Sequence, residues 1–465
     1  MTPPRNKLKS RRHAAPVAEA HLPTDGELRR LAERILRLSD ADETEVEIDA
    51  GSDALTRFAN NTIHQNVAER NLSVSVRTVF EGRTARATTN KTDEAALRRV
   101  VAASATLARS QPKHPDLLPM LGKQKYPRVA RYFPETAEAT PKDRARAVTR
   151  AIGVAAAADQ TAAGIFTTGA SVSALANSRG LFAAHRQTRA EFSVTMMESD
   201  SSGWAKANSP DIKRIDPAEL GASASRKAAA SRAPREVETG RWTVILEPAA
   251  VLDLVGFLFY DFAATAIRDQ RSCFNKRVGT KVMGDNITVR DDVTHHLQTG
   301  APFDGEGLPR QQVLLIEQGV LRNLVYSRAS AKKMKTKPTG HGLPLPNEYG
   351  EAPYNLVFEG GTTPVEEMIS STERGILLTR LWYIRDVDPY EKVLTGMTRD
   401  GTFLVEDGRI AGGVRNFRFN QNILEMLSNV ELLGPAVRAA GEESFEMVVP
   451  AMKVRGFHFT EVTKF

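Results

Sequence analysis

At 465 residues the chain exceeds what one compact core accommodates, so two or three domains are predicted. Its hydrophobic fraction of 41% and charged fraction of 26% are ordinary for a soluble globular protein, no apolar run reaches membrane-spanning length, and no secretory signal is visible. A single cysteine, Cys273, excludes an internal disulfide framework and a multi-thiolate zinc site, and makes a cytoplasmic, reduced protein the simplest reading.

The formal charge is +7, but five of those charges belong to Arg5, Lys7, Lys9, Arg11 and Arg12, where no acid intervenes. The rest of the chain is close to neutral. Residues 1–23 therefore read as a disordered basic arm, with weak anion or nucleic-acid contact as the minor alternative. No aromatic residue interleaves with these bases to stack on a nucleic acid.

A first α/β domain is expected over 24–110. Leu28, Leu31, Ile35 and Leu38 recur at helical spacing after Thr24-Asp25, predicting a helix over Asp25–Leu38. Strands are predicted at Glu43–Asp49, Leu55–Asn60, Asn71–Phe80 and Arg83–Thr88, then a helix from Asp93 to Arg109. Residues 111–139, with Pro112, Pro115, Pro119, Pro127 and Pro134, read as a linker.

The plan then repeats over 140–236. A helix at Pro141–Ala158 leads to strands Ile165–Ala176, Leu181–Arg189 and Ala190–Ser199 and a helix at Asp216–Ser231, which suggests an ancient duplication. Residues 237–465 are richer in short strands and glycine turns, predicting a β-rich third domain and an α+β chain overall. Its opening helix, Pro248–Ala263, is apolar but interrupted by Asp253 and Asp261, as a buried helix is rather than a membrane span. Asp304 to Gly307 carry turn chemistry, and a strand pair is expected at Gln312–Glu317 and Val320–Tyr326 around Gln318-Gly319. Near the end, a strand at Gly375–Ile384 precedes a hairpin of Thr402–Glu406 and Arg409–Gly412 across Asp407-Gly408, and a short helix spans Gln421 to Asn429.

The run TRDGTFLVEDGRI from Thr398, with VRNFRFNQNI from Val414, resembles the C-terminal domain of the TldD/PmbA (TldE) metalloprotease family. The resemblance implies a duplicated α/β half followed by a β-barrel-like domain, and a two-subunit zinc protease that acts on small unfolded peptides in proteolysis and peptide maturation. In the active branch a HExxxH motif lies on a helix early in the C-terminal domain, and a cysteine near the end completes the zinc site. Aligned with that motif, this chain carries Gly256, Phe257 and Asp261, and no cysteine near its end. The chain thus resembles the PmbA/TldE branch. The resemblance implies no catalytic or metal-ligating residue and no cofactor in this chain. It implies zinc in a TldD-like, HExxxH-bearing partner, in a heterodimer or larger assembly, with an unfolded peptide as substrate; composition and charge separately speak against a membrane and make nucleic acid the minor option.

Other candidates carry less. None of the nine histidines pairs with another at helical ligand spacing. His295-His296 follow two aspartates, but neighbours on a strand face opposite ways. His341 falls in a Gly/Pro-rich stretch expected to be a mobile loop, and Cys273 has basic neighbours but no identifiable base. Arg380, Tyr383, Arg385, Arg399 and Arg418 either satisfy nearby carboxylates or line a groove for a peptide or a partner subunit. Two further readings stay open: an active metallopeptidase using Asp261 with a histidine from Thr294–Leu297, and a peptide- or nucleic-acid-binding module that uses the arm.

Overall fold

The computed structural model describes residues 22–463, so the basic arm lies outside the described residues except for its last two positions. The first unit runs α1 (Asp25–Leu36), β1 (Glu43–Ala59), β2 (Thr62–Phe80), β3 (Arg83–Thr89) and α2 (Glu94–Ser110). After a largely irregular stretch and the single turn α3 (Pro134–Ala137), the second unit runs α4 (Pro141–Ala157), β4 (Thr161–Asn177), β5 (Phe182–Met197), β6 (Ser202–Ser209) and α5 (Pro217–Ala230). Both units enter through a capping box, Thr24 with Glu27 and Thr140 with Asp143.

The units share one antiparallel six-stranded sheet in the order β3-β2-β1-β4-β5-β6, so the repeated plan is also a near-symmetric arrangement about the β1–β4 pair. The strand period of two decides what each face meets. Even-numbered β4 residues Phe166, Val172, Ala174 and Ala176 face the helices. Odd-numbered Leu175 packs with Leu181, Ala183 and Phe303 of the C-terminal region. The helices therefore cover one face and the last domain covers part of the other.

Two predicted breaks are absent. The strands expected on either side of Gly51-Ser52 are one strand, β1, because both residues are paired on both sides, to β2 and to β4. A ladder on each edge overrides a local turn signal. Likewise Arg189 and Ala190 lie inside a continuous β5. The polar strand β6 had no alternating apolar pattern to announce it.

The remaining chain contributes β7 (Gly240–Leu246), α6 (Pro248–Val255), a 3-10 segment (Gly256–Phe262) and α7 (Ala264–Arg268). Next come β8 (Val289–Asp291), β9 (Val313–Glu317), β10 (Val320–Leu321), α8 (Arg328–Lys333), β11 (Leu356–Phe358) and α9 (Val365–Ser370). The chain then runs β12 (Arg374–Asp388), β13 (Val393–Glu406), β14 (Arg409–Gly413), β15 (Phe417–Asn422) and α10 (Ile423–Ser428). It finishes with β16 (Val430–Leu433), β17 (Val437–Ala439), β18 (Met447–Val449) and β19 (Met452–Val462).

Strands β7, β19, β15, β13 and β12 close on one another as a five-stranded barrel. Phe417, Phe419, Phe457 and Phe459 are buried within it, with Phe417 and Phe459 stacked at 4.4 Å between centroids. A second sheet, β10-β9-β8-β11-β18-β17, shares this core. The α+β class and the barrel-like last domain expected above are both present. No helix among the described residues is long and apolar enough to cross a membrane.

Candidate functional site

Helix α6 follows β7 directly, with Pro248 in its first turn and Leu252, Leu254 and Val255 fully buried. The predicted helix to Ala263 stops early. At Gly256 the winding tightens to a 3-10 segment, and the aromatic run from Phe257 to Phe262 spreads around it. Phe257, Asp261, Asp386, Lys392, Glu442 and Ser444 are among the residues lining a cleft of about 550 Å³ beside this segment.

The three positions aligned with the zinc motif are thereby placed around one cleft, and their chemistry can be tested there. Gly256 offers no side chain, and a Cβ on it would fall on Ser444 Oγ. The half-buried Phe257 packs its ring against the main core. Asp261 is buried with both carboxylate oxygens engaged: Oδ1 accepts the Cys273 N–H at 2.8 Å, and Oδ2 lies 2.7 Å from Lys392 Nζ.

Lys392 reaches in from the β12–β13 turn, where its backbone is left-handed at φ 53°. Its ammonium also donates to the Phe257 carbonyl at 3.1 Å and lies 3.8 Å from Asp386 Oδ1. Burial opposes the charged ammonium, but the Asp261 carboxylate outweighs it and holds the Lys392 pKa above the usual lysine range. The residues do not fit zinc. Two of the three motif positions lack a donor, and the third is ion-paired. No group of three His, Cys, Asp or Glu that could hold a metal ion occurs among the described residues.

The segment from Glu442 to Phe445 lines one side of the cleft, and Asp253 of α6 secures it. Asp253 Oδ1 accepts the N–H groups of Glu442 and Glu443 at 3.2 and 3.1 Å, while Oδ2 is buried without a hydrogen-bond partner. Burial pushes the Asp253 carboxyl up to about 7. Glu443 in turn accepts the Tyr383 N–H at 2.7 Å and approaches Arg385 to 3.5 Å.

The arginine row divides. Arg380 is buried, ion-paired with Asp400, and lies 4.9 Å from the Trp204 ring. Arg399 covers the Trp382 ring at 4.8 Å, and Arg385 covers Tyr383 at 4.5 Å. Arg418 joins them through register, paired with Met397, which is itself paired with Trp382. Arg380 thus satisfies a carboxylate from a buried position, while at the surface Arg385 and Arg399 both stack on an aromatic ring and lie 3.5 Å from a carboxylate, of Glu443 and Asp400 respectively.

His341 corrects the expectation of a mobile loop. It is fully buried, with Nε2 2.9 Å from Asp291 Oδ1 and Nδ1 2.9 Å from Thr339 Oγ1. Gly340 and Gly342 allow the close packing that hid this from the sequence, since a Cβ at Gly340 would fall on the Pro309 carbonyl. Burial opposes ionisation of Asp291, but His341 holds its carboxyl below the ordinary range. His295 and His296 sit in turns rather than on a strand, with their rings 4.6 Å apart. The strand argument for opposed rings therefore fails, although no metal-ligand cluster forms there. Cys273 is buried, and burial raises its thiol pKa, as for an inert packing residue. Asp304 closes its turn as expected, accepting the N–H groups of Glu306 and Leu308.

The chain thus combines a six-stranded α/β platform, a closed five-stranded barrel and a helix-to-3-10 element that opens onto a cleft. Family models for the first, central and C-terminal domains of the PmbA/TldA metallopeptidases match residues 44–108, 135–232 and 239–461. The chain belongs to the PmbA/TldD metallopeptidase family. It is 26% identical over 290 residues to a protein named metalloprotease from Methanothermobacter thermautotrophicus, spanning 58% of this chain and 61% of that relative. It is 23% identical over 335 residues to metalloprotease PmbA of Escherichia coli O157:H7, spanning 69% of this chain and 71% of that one. The crystal structure of TldE from Thermococcus kodakarensis superposes with a TM-score of 0.84 at 19% identity, covering 93% of this chain and 99% of TldE. That likeness shows the fold.

Proposed function

We propose that this chain is the non-catalytic, PmbA/TldE-like subunit of a two-component zinc peptidase that handles small unfolded peptides. It pairs with a TldD-like chain bearing HExxxH, which supplies the zinc, and helps to enclose the chamber in which a peptide is cut. What carries the reading is the pairing of Asp261 with Lys392 beside Gly256 and Phe257, which leaves no free ligand at the motif positions. The exposed Tyr383, Arg385 and Arg399 pairs offer planar, charged contacts of the kind that partner surfaces use.

Affinity purification from the native cell tests this. A HExxxH-bearing homologue is expected to co-purify, and the pair to cleave an unstructured peptide in a chelator-sensitive way while this chain alone does not. Cleavage by the isolated chain would overturn the proposal.

A further inference from the structure

A second cleft of about 480 Å³ adjoins the first, and the two share Phe259, Tyr260 and Phe445. Its wall is aromatic: Phe259 lies 5.3 Å from Tyr354 and 4.7 Å from Phe445 between ring centroids. Arg310 also lines it, with its guanidinium carbon 5.6 Å from the Tyr354 centroid. Arg310 Nη1 is buried and has no hydrogen-bond partner.

The carboxylates that Arg310 influences are already engaged. Asp291 is held by His341 and the Asn355 N–H, and Asp304 by three backbone N–H groups. A guanidinium that lines an open cleft and forms no ion pair among the described residues favours an anion there. One guanidinium, with the carboxylate of Glu446 also lining the cleft, suits a monoanionic carboxylate better than a dianionic phosphate. Aromatic walls suit an apolar side chain next to that carboxylate.

We propose that this cleft is a carboxylate-recognition subsite for an extended peptide. Arg310 binds the anion, and Phe259, Tyr354 and Phe445 receive the adjoining apolar side chain. A peptide seated there continues over Tyr260 and Phe445 into the cleft beside Lys392. This deepens the peptide-handling role and rests on it.

The test uses the full chain alone and three fluorescein-labelled peptides: Ala-Gly-Ala-Phe as the free acid, the same peptide as its C-terminal amide, and amidated Ala-Gly-Asp-Phe. Fluorescence anisotropy is expected to show the free acid bound about tenfold tighter than the neutral amide, as a charged hydrogen bond gives. Arg310→Gln should abolish that difference, and Arg310→Lys should keep part of it. The amidated aspartyl peptide decides how the anion is recognised: binding as tight as that of the free acid shows that a side-chain carboxylate is accepted as well as a chain terminus, and weak binding that the terminus is required. Equal binding of the two Ala-Gly-Ala-Phe forms to the wild type overturns the proposal without any variant, as does undiminished discrimination by Arg310→Gln. Finding zinc in the isolated chain would sink the accessory-subunit reading yet leave the acid-over-amide preference standing, so the two failures are distinguishable.

Discussion

Asp261 and Lys392 form a buried ion pair, and such pairs respond asymmetrically to substitution. Removing one partner strands the other's charge, at a cost of about 3–5 kcal/mol, whereas replacing both by apolar residues of similar size is close to neutral. Asp261→Ala is therefore expected to lower the urea midpoint sharply, because Lys392 retains only the Phe257 carbonyl and the more distant Asp386. The double variant Asp261→Leu, Lys392→Met should recover most of the loss, less the bond to the Cys273 N–H. A double variant no better than Asp261→Ala would show that the pair is not the source of the cost.

Asp253 gives a pH signature. Its folded pKa of about 7 lies above the 3.8 of a free aspartate, so the folded state holds the extra proton between those values. Its contribution to stability is full below pH 4 and is lost as pH rises through 7, at about 1.4 kcal/mol per unit. Asp253→Asn, which keeps an acceptor for Glu442 and Glu443 but carries no charge, should gain on the wild type from pH 4.5 to 8 in thermal melts. A pH-independent difference would refute the assignment.

Among the elements, the β13–β14 hairpin turns through Asp407 and Gly408 at φ 49° and 74°, the left-handed pair that its tight turn demands. A Cβ on Gly408 would also meet the Ser370 carbonyl at 2.6 Å. Gly408→Ala should cost about 1–3 kcal/mol, read by chemical denaturation, whereas Asp407→Asn should be nearly silent. This hairpin was legible in the sequence because its signal is local, as were the capped helices α1, α4 and α5. The breaks placed at Gly51-Ser52 and Arg189-Ala190 were wrong for the opposite reason: a ladder to a neighbouring strand holds those residues, and pairing across strands, unlike a turn, leaves no local signal.

Site legibility divides the same way. The lack of donor side chains at Gly256 and Phe257 could be read from the residue names alone. Lys392, which neutralises Asp261, comes from a different turn of the barrel, and no spacing rule links the two. His341 was read as a mobile loop and Arg310 was passed over, since glycine-rich flanks signal a loop whether or not tertiary packing holds it.

At the scale of the whole molecule, two copies of one α/β plan build a platform whose second face meets a barrel domain, and the barrel carries the cleft. The central claim is that this arrangement keeps a peptidase scaffold while its motif positions have become a packed, internally neutralised element. Metal analysis is the most direct test: the isolated full chain is incubated with excess zinc, gel-filtered, and its metal measured by mass spectrometry. The account predicts well under one zinc per chain, unchanged in Asp261→Asn. One tightly held zinc per chain, lost on that substitution, would contradict it.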